Sequence, residues 1–186
     1  MLYRLVNKIL MQDFSNKILH YSKKNTKLII FDIGCFRGSF SNSIKKKTSN
    51  SKFYLFDPNP NLKIKNFTYF PIGIGDSKKI INFNLNNYFP SSGSSMNTLI
   101  KNDIMWQISR KIIIFNFFGK FTKIKVKQDT LDNFVKKNQI PKIDILKIDT
   151  EGFEFDVIKG AKDNINKIKY IYFEHHFDSM IIKNYK

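Results

Sequence analysis

At 186 residues, with 42% hydrophobic and 15% aromatic side chains, the chain is sized for one domain with a self-sufficient core, which excludes a disordered polypeptide. The net charge of +17 points towards polyanions, yet only Arg4, Arg37 and Arg110 among the 32 basic residues are arginine. Surfaces that read phosphates and bases favour arginine's planar fork. The lysines accompany abundant Asn, Ile and Phe, all specified by AT-rich codons, so nucleic acid is not the expected partner, although a polyanion stays open.

Cys35 is the single cysteine, which excludes a disulfide framework and a cysteine metal cluster. No apolar run has the length of a transmembrane helix. Residues 1–14 lack the apolar segment and cleavage site of a signal peptide. The expectation is a cytoplasmic protein with no transmembrane segment, divided into a helical extension (1–27) and one main domain (28–186).

In chain order, residues 2–21 set Leu2, Leu5, Val6, Ile9, Leu10, Ile18 and Leu19 at helical spacing with lysines between. This predicts a docking helix at the domain edge, with a basic membrane-surface helix as the alternative. Residues 28–31 form an apolar run suited to a strand buried on both faces. Asp32 closes it, Gly34 and Gly38 supply a tight turn, and a helix follows over 39–47. Residues 52–57 (KFYLFD) read as a second buried strand, PNPN as a turn and 67–72 as a third short strand. Residues 73–76 (GIGD) read as a turn.

Residues 79–85 alternate apolar and polar side chains, as in a half-exposed antiparallel strand, and 121–127 alternate likewise and are its expected partner. Between them, 90–95 (PSSGSS) is a loop, and periodicity leaves 104–118, with Trp106, open between helix, strand and lid. Thr130 is placed to cap a helix, with Asp132 in its first turn. Residues 143–149 (IDILKID) predict a core strand, 151–159 a helix stopped by Gly160, and 169–173 a fifth core strand.

Three carboxylates, Asp32, Asp57 and Asp149, thus stand at the exits of three core strands. Open α/β sheets bind ligands beyond the carboxyl ends of their strands, so these side chains are expected to share one crevice. Asp57 follows Gly34 by 23 residues, about where a second strand delivers an acid to ribose hydroxyls. The turn reads Asp-x-Gly-x-x-x-Gly, not the Gly-x-Gly-x-x-Gly of dinucleotide binders. An acidic crevice suits S-adenosylmethionine, with its sulfonium and amino groups, better than a pyrophosphate. Lys147 and Asp149 share one face of an apolar strand, where a buried pair is costly without good geometry. That favours a functional Asp149, whereas Glu151, Glu154 and Asp156 gain from the helix dipole in any case.

The segments DIGCFRGSF, FDPNP, GIGD, TLDNF, KIDILKIDTEGFEFDVIKGA and YFEHH occur in the order found in FkbM-type methyltransferases, and the chain resembles that family over 28–176. The resemblance implies an α/β, Rossmann-like class I methyltransferase fold, a mostly parallel sheet flanked by helices, with S-adenosylmethionine as cofactor. It implies methyl transfer to a hydroxyl, often on a sugar, glycan or other small molecule. Asp57 stands where the family commonly has glutamate. Ten residues follow His176, so the last two strands of the usual sheet are expected to be lacking. Two alternatives follow: a cofactor-binding but catalytically incomplete module, and an RNA methyltransferase.

By resemblance, Asp32, Gly34, Cys35 and Gly38 surround the methionine part of the cofactor. Asp57, with Asn59, holds the ribose, and Asp76 lies near the adenine. Asp149, Glu151 and His175 are the catalytic candidates, Asp149 or His175 as the base that takes the hydroxyl proton. A divalent ion on Asp149, Glu151 and Glu174 is allowed but not required. An uncovered sheet edge leaves room for a homo-oligomer.

Overall fold

The computed structural model describes residues 27–48, 50–86 and 121–173. The helix expected over 2–21, the loop at 90–95, the segment 104–118 with Trp106, and Glu174, His175 and His176 lie outside these residues.

Five strands form a parallel sheet in the order β3-β2-β1-β7-β8, namely β1 (Ile29–Ile33), β2 (Lys52–Phe56), β3 (Thr68–Phe70), β7 (Ile143–Ile148) and β8 (Ile168–Phe173). β1 lies at the centre and β7 is buried along its whole length, as continuous apolar runs require. Alternation sends Phe31, Ile33, Phe56, Leu146 and Ile148 to one face and Ile30, Leu55 and Ile145 to the other. The first face is covered by α2 (Leu131–Lys137) and α3 (Glu154–Lys159), through Leu131, Phe134, Val135 and Val157. The second is covered by α1 (Ser39–Lys45), through Phe40 and Ile44. The result is an α/β fold around a mostly parallel central sheet. Among the described residues no helix is long and apolar enough to cross a membrane.

A second sheet, β4-β6-β5, joins β4 (Gly73–Ile74), β5 (Lys79–Asn86) and β6 (Phe121–Asp129). β5 and β6 pair antiparallel with Ile81 opposite Val126, the partnership their alternation predicts. Thr130 caps α2 as expected, its hydroxyl accepting from the Asn133 N–H at 3.1 Å.

Three elements differ from the sequence reading. Gly73–Ile74 is not a turn but a two-residue strand, pairing in parallel with Gln128–Asp129. α3 begins at Glu154, not at Glu151, because Glu151 (φ 54°) and Gly152 (φ 101°) hold left-handed backbone that no helix contains. β8 is not a fully buried strand. Its residues alternate between half-buried and exposed, and among the described residues it pairs only with β7, at the edge of the sheet.

Phe134 is the packing hub beneath the sheet. Four rings meet it edge-on, Phe31, Tyr54, Phe56 and Phe70, at centroid distances of 5.8, 6.0, 4.8 and 4.7 Å. Truncating it removes both buried area and these oriented contacts. Phe134→Ala is expected to cost about 3–5 kcal/mol of stability, read as a lower urea midpoint with an unchanged slope.

Candidate active site

The carboxyl ends of β2, β1 and β7 are adjacent, with Ile33 opposite both Phe56 and Ile148. Asp57 and Asp149 are the next residues along their strands. Asp32 lies inside β1 rather than at its close, one position before the end, and is buried. The three strand-end acids of the sequence reading therefore come to one corner of the sheet.

Lys147 ties that corner together. It is the direct cross-strand neighbour of Asp32, and alternation puts Asp149 on its face of β7. Its Nζ lies 3.1 Å from Asp32 Oδ1 and 3.3 Å from Asp149 Oδ2, and donates to the Gly34 carbonyl at 2.9 Å. Of these contacts the one to Gly34 is a hydrogen bond, whereas buried Asp32 Oδ1 meets the ammonium as an ion pair without one. Burial alone would lower its pKa, but the carboxylates of Asp32 and Asp149 outweigh that and hold it above the ordinary lysine value. Asp32 Oδ2 also accepts from Ser41 Oγ of α1 at 2.7 Å. Sequence reasoning left Lys147 off the list of site residues, although its one-residue offset from Ile148 in an apolar strand marked it.

The turn after β1 is shaped by the protein itself. Gly34 has φ 71°, and a Cβ there would collide with the Asp149 carbonyl. The close approach this glycine permits is thus by β7's exit, which the Asp149 N–H to Ile33 carbonyl bond also fixes at 3.0 Å. Gly38, also at φ 71°, precedes α1 and faces Leu55. Cys35 packs with Leu28, Ile30 and Phe40. Burial first, then Asp32 and Asp57, pushes its thiol far above the usual range, which disfavours the reactive thiolate in the closed fold.

Asp57 is almost fully enclosed. Its Oδ2 accepts from the Phe36 N–H at 2.9 Å and its Oδ1 from the Asn59 N–H at 3.0 Å. Burial raises its pKa to about 6 against these two bonds. The Tyr69 hydroxyl, 3.0 and 3.1 Å from the carbonyls of Asp57 and Asn59, braces the same turn. Asn59 Oδ1 accepts from the Asn61 N–H at 2.9 Å, which fixes the amide's orientation. Its Nδ2 is buried and unpartnered. An unpaired buried donor costs about 1–3 kcal/mol, and a ligand oxygen would relieve that cost.

Glu154 closes the loop after β7. Its Oε1 accepts from the Thr150 N–H, the Thr150 hydroxyl and the Gly152 N–H at 3.1, 3.1 and 3.0 Å. These bonds hold Glu151 in its left-handed turn two residues past Asp149. Asp149 is the most open of the three acids, with 27% of its side chain exposed.

Asp76 has its own set of partners. It sits after β4, bonded to Lys79 Nζ at 2.9 Å, Ser77 Oγ at 2.8 Å and Gln128 Nε2 at 3.3 Å, with the Lys79 bond foremost in lowering its pKa. None of those partners is part of the Lys147 corner. Among the described residues no group of three His, Cys, Asp or Glu side chains is arranged to hold a metal ion. His175 and Glu174 lie outside those residues.

Three carboxylates (Asp32, Asp57, Asp149) against one ammonium (Lys147) leave the corner with a formal excess of negative charge, in a chain of net charge +17. This donor set fits a cationic sulfonium nucleoside: negative charge for the sulfonium, a carboxylate with free lone pairs, and an unpartnered amide beside it.

The family model described as "Methyltransferase FkbM domain" matches residues 32–182. The chain is similar to "2-O-methyltransferase NoeI" of Sinorhizobium fredii (strain NBRC 101917 / NGR234), at 24% identity over 156 residues. That match covers 79% of this chain and 63% of the relative, so the chain spans less than two thirds of the relative's length. No solved structure matches the chain.

Two measurements check this corner. Lys147→Met strands the buried Asp32 and is expected to cost about 3–5 kcal/mol, while Lys147→Met/Asp32→Asn recovers part of that loss. Chemical denaturation of the four proteins in the cycle gives the coupling. Asp57 has a folded pKa above its unfolded value, so its contribution to stability is full below about pH 4 and is lost as pH rises through about 6. The parent should therefore lose on the order of 3 kcal/mol relative to Asp57→Asn between those limits, measured by urea unfolding across the pH range.

Proposed function

The chain belongs to the FkbM methyltransferase domain family, and from that premise we propose that it is an S-adenosylmethionine-dependent O-methyltransferase acting on a hydroxyl of a sugar, glycan or other small molecule in the cytoplasm. The observation that carries this reading is the acidic corner where Lys147 pairs with Asp32 and Asp149 while Asp57 follows the adjacent strand end. The 2-O-methyltransferase name of the relative from Sinorhizobium fredii supports oxygen as the methylated atom.

In this reading Asp57 holds the ribose. Each of its oxygens already accepts one backbone N–H, and each keeps a lone pair for a diol proton. The Asn59 amide donates to a ribose oxygen. Asp32 is a positioning residue, since its oxygens are engaged by Ser41 and Lys147. Gly34, Cys35 and Gly38 shape the turn beside the methionine part, and Asp76 borders the adenine side.

When bound, S-adenosylmethionine supplies an electrophilic methyl carbon. The chain contributes placement and a proton acceptor. Asp149, open to solvent and anchored by Lys147, accepts the hydrogen bond of the incoming hydroxyl and takes its proton. Glu151, in the adjoining turn, orients that hydroxyl. Removing the proton during the step is worth about 10²–10⁴-fold, and alignment of the two reactants supplies the larger share. His175 is the competing base, just past β8.

Calorimetric titration with S-adenosylmethionine tests the reading. The parent is expected to bind in the micromolar range, and Asp57→Ala to bind at least tenfold more weakly, a loss of about 1.4 kcal/mol or more. Asp149→Asn is expected to keep cofactor affinity and lose turnover on a hydroxyl panel, with His175→Gln less affected. Absence of heat at high micromolar cofactor, with Asp57→Ala behaving like the parent, would overturn the assignment.

A further inference from the structure

The β5–β6 ribbon turns its faces to different surroundings. One face packs Phe83, Leu85 and Val126 against Ile81 and Ile124. By register, the other carries the pairs Ile80–Lys127, Asn82–Lys125 and Asn84–Lys123. All three lysines are exposed, and Ile80, at 68%, is the most exposed large hydrophobic side chain among the described residues.

What sets these lysines apart is that they stand in line on one strand face. Lys79, Lys142, Lys147 and Lys159 each have a carboxylate within 4 Å, namely Asp76, Asp144, Asp32 with Asp149, and Asp156. Among the described residues Lys123, Lys125 and Lys127 have none. Two residues along a strand advance the chain by about 6.6–6.8 Å, so the three ammonium groups form a row of like charge. The cross-strand positions where an acid would relieve their repulsion hold Ile80, Asn82 and Asn84 instead. An anionic plane laid against the face relieves that repulsion.

We infer that this face of the ribbon docks the protein on an anionic lipid bilayer, with Lys123, Lys125 and Lys127 over the phosphates of the headgroups and Ile80 entering the interface. Lysine is a point charge that meets a phosphate from any direction, as a fluid headgroup layer requires. Single-stranded nucleic acid, the other polyanion with regular phosphates, is read by arginine's planar fork as well as by stacking, and this face carries no arginine. A lysine near an anionic bilayer tightens binding by roughly fivefold, so three give on the order of a hundredfold. The inference does not depend on the proposed methyl transfer.

Vesicle co-sedimentation of the full chain is the test. Binding is expected to phosphatidylcholine vesicles containing phosphatidylglycerol and not to phosphatidylcholine alone, and to weaken with added salt. K123Q/K125Q/K127Q is expected to lower the partition coefficient on the order of a hundredfold, and Ile80→Ser to lower it by a smaller factor. A control of equal charge change, K136Q/K137Q/K162Q, should stay within a few fold of the parent. Equal losses in the two triple variants would mean non-specific attraction by net charge and would overturn the inference. So would a ribbon variant that binds vesicles like the parent, including one that aggregates and thereby reveals the lysines as guards of an open strand edge. Binding to a single-stranded oligonucleotide but not to vesicles would overturn it as well.

Discussion

A single buried ammonium holds the functional corner of this protein together. Lys147 crosses from β7 to the neighbouring strand, pairs by charge with Asp32 and Asp149, and donates to the Gly34 carbonyl. Removing such charges from water costs several kcal/mol per ion, and only close, well-directed contacts offset it. The pair therefore does little for stability by itself. What it fixes is position: the exits of β1 and β7, the Asp149 carboxylate and the glycine turn are all referred to one nitrogen. The neighbouring Asp57 is built differently, with backbone N–H groups in place of a cation. Burial, acting against those bonds, keeps its carboxyl pKa elevated, while the Asp32 and Asp149 carboxylates hold Lys147 firmly charged.

The two sheets meet through small residues. A Cβ on Gly160 would strike the carbonyl of Gly75, and one on Gly75 would strike the Gln128 amide. Gln128 in turn donates to the Ser77 carbonyl at 2.8 Å and to Asp76 at 3.3 Å. This seam joins the end of α3 to the base of the ribbon. The parallel sheet is left to build the charged corner, while the ribbon presents an independent outer surface.

Much of this was legible in the residues. The run at 28–31, the alternation of 79–85 and 121–127, and the Thr130 cap each carry a local period or a capping side chain, and each formed as read. The elements that escaped depend on distant partners. Gly73–Ile74 is too short to show a period and becomes a strand only against Gln128–Asp129. The acids at 151, 154 and 156 resemble a helix's first turn. Glu154 nevertheless folds back on Thr150 and Gly152 and delays the helix. For the same reason Gly34, readable as a site of close approach, gave no sign that Asp149 makes that approach.

Cys35 lies at the centre of this arrangement, its N–H bonded to the Phe56 carbonyl at 3.0 Å and its thiol buried among apolar side chains and carboxylates. As the sole cysteine, it gives the chain one native chemical reporter. Alkylating reagents can reach its sulfur only when the turn after β1 lifts from the sheet, so the rate of modification measures how often that corner breathes.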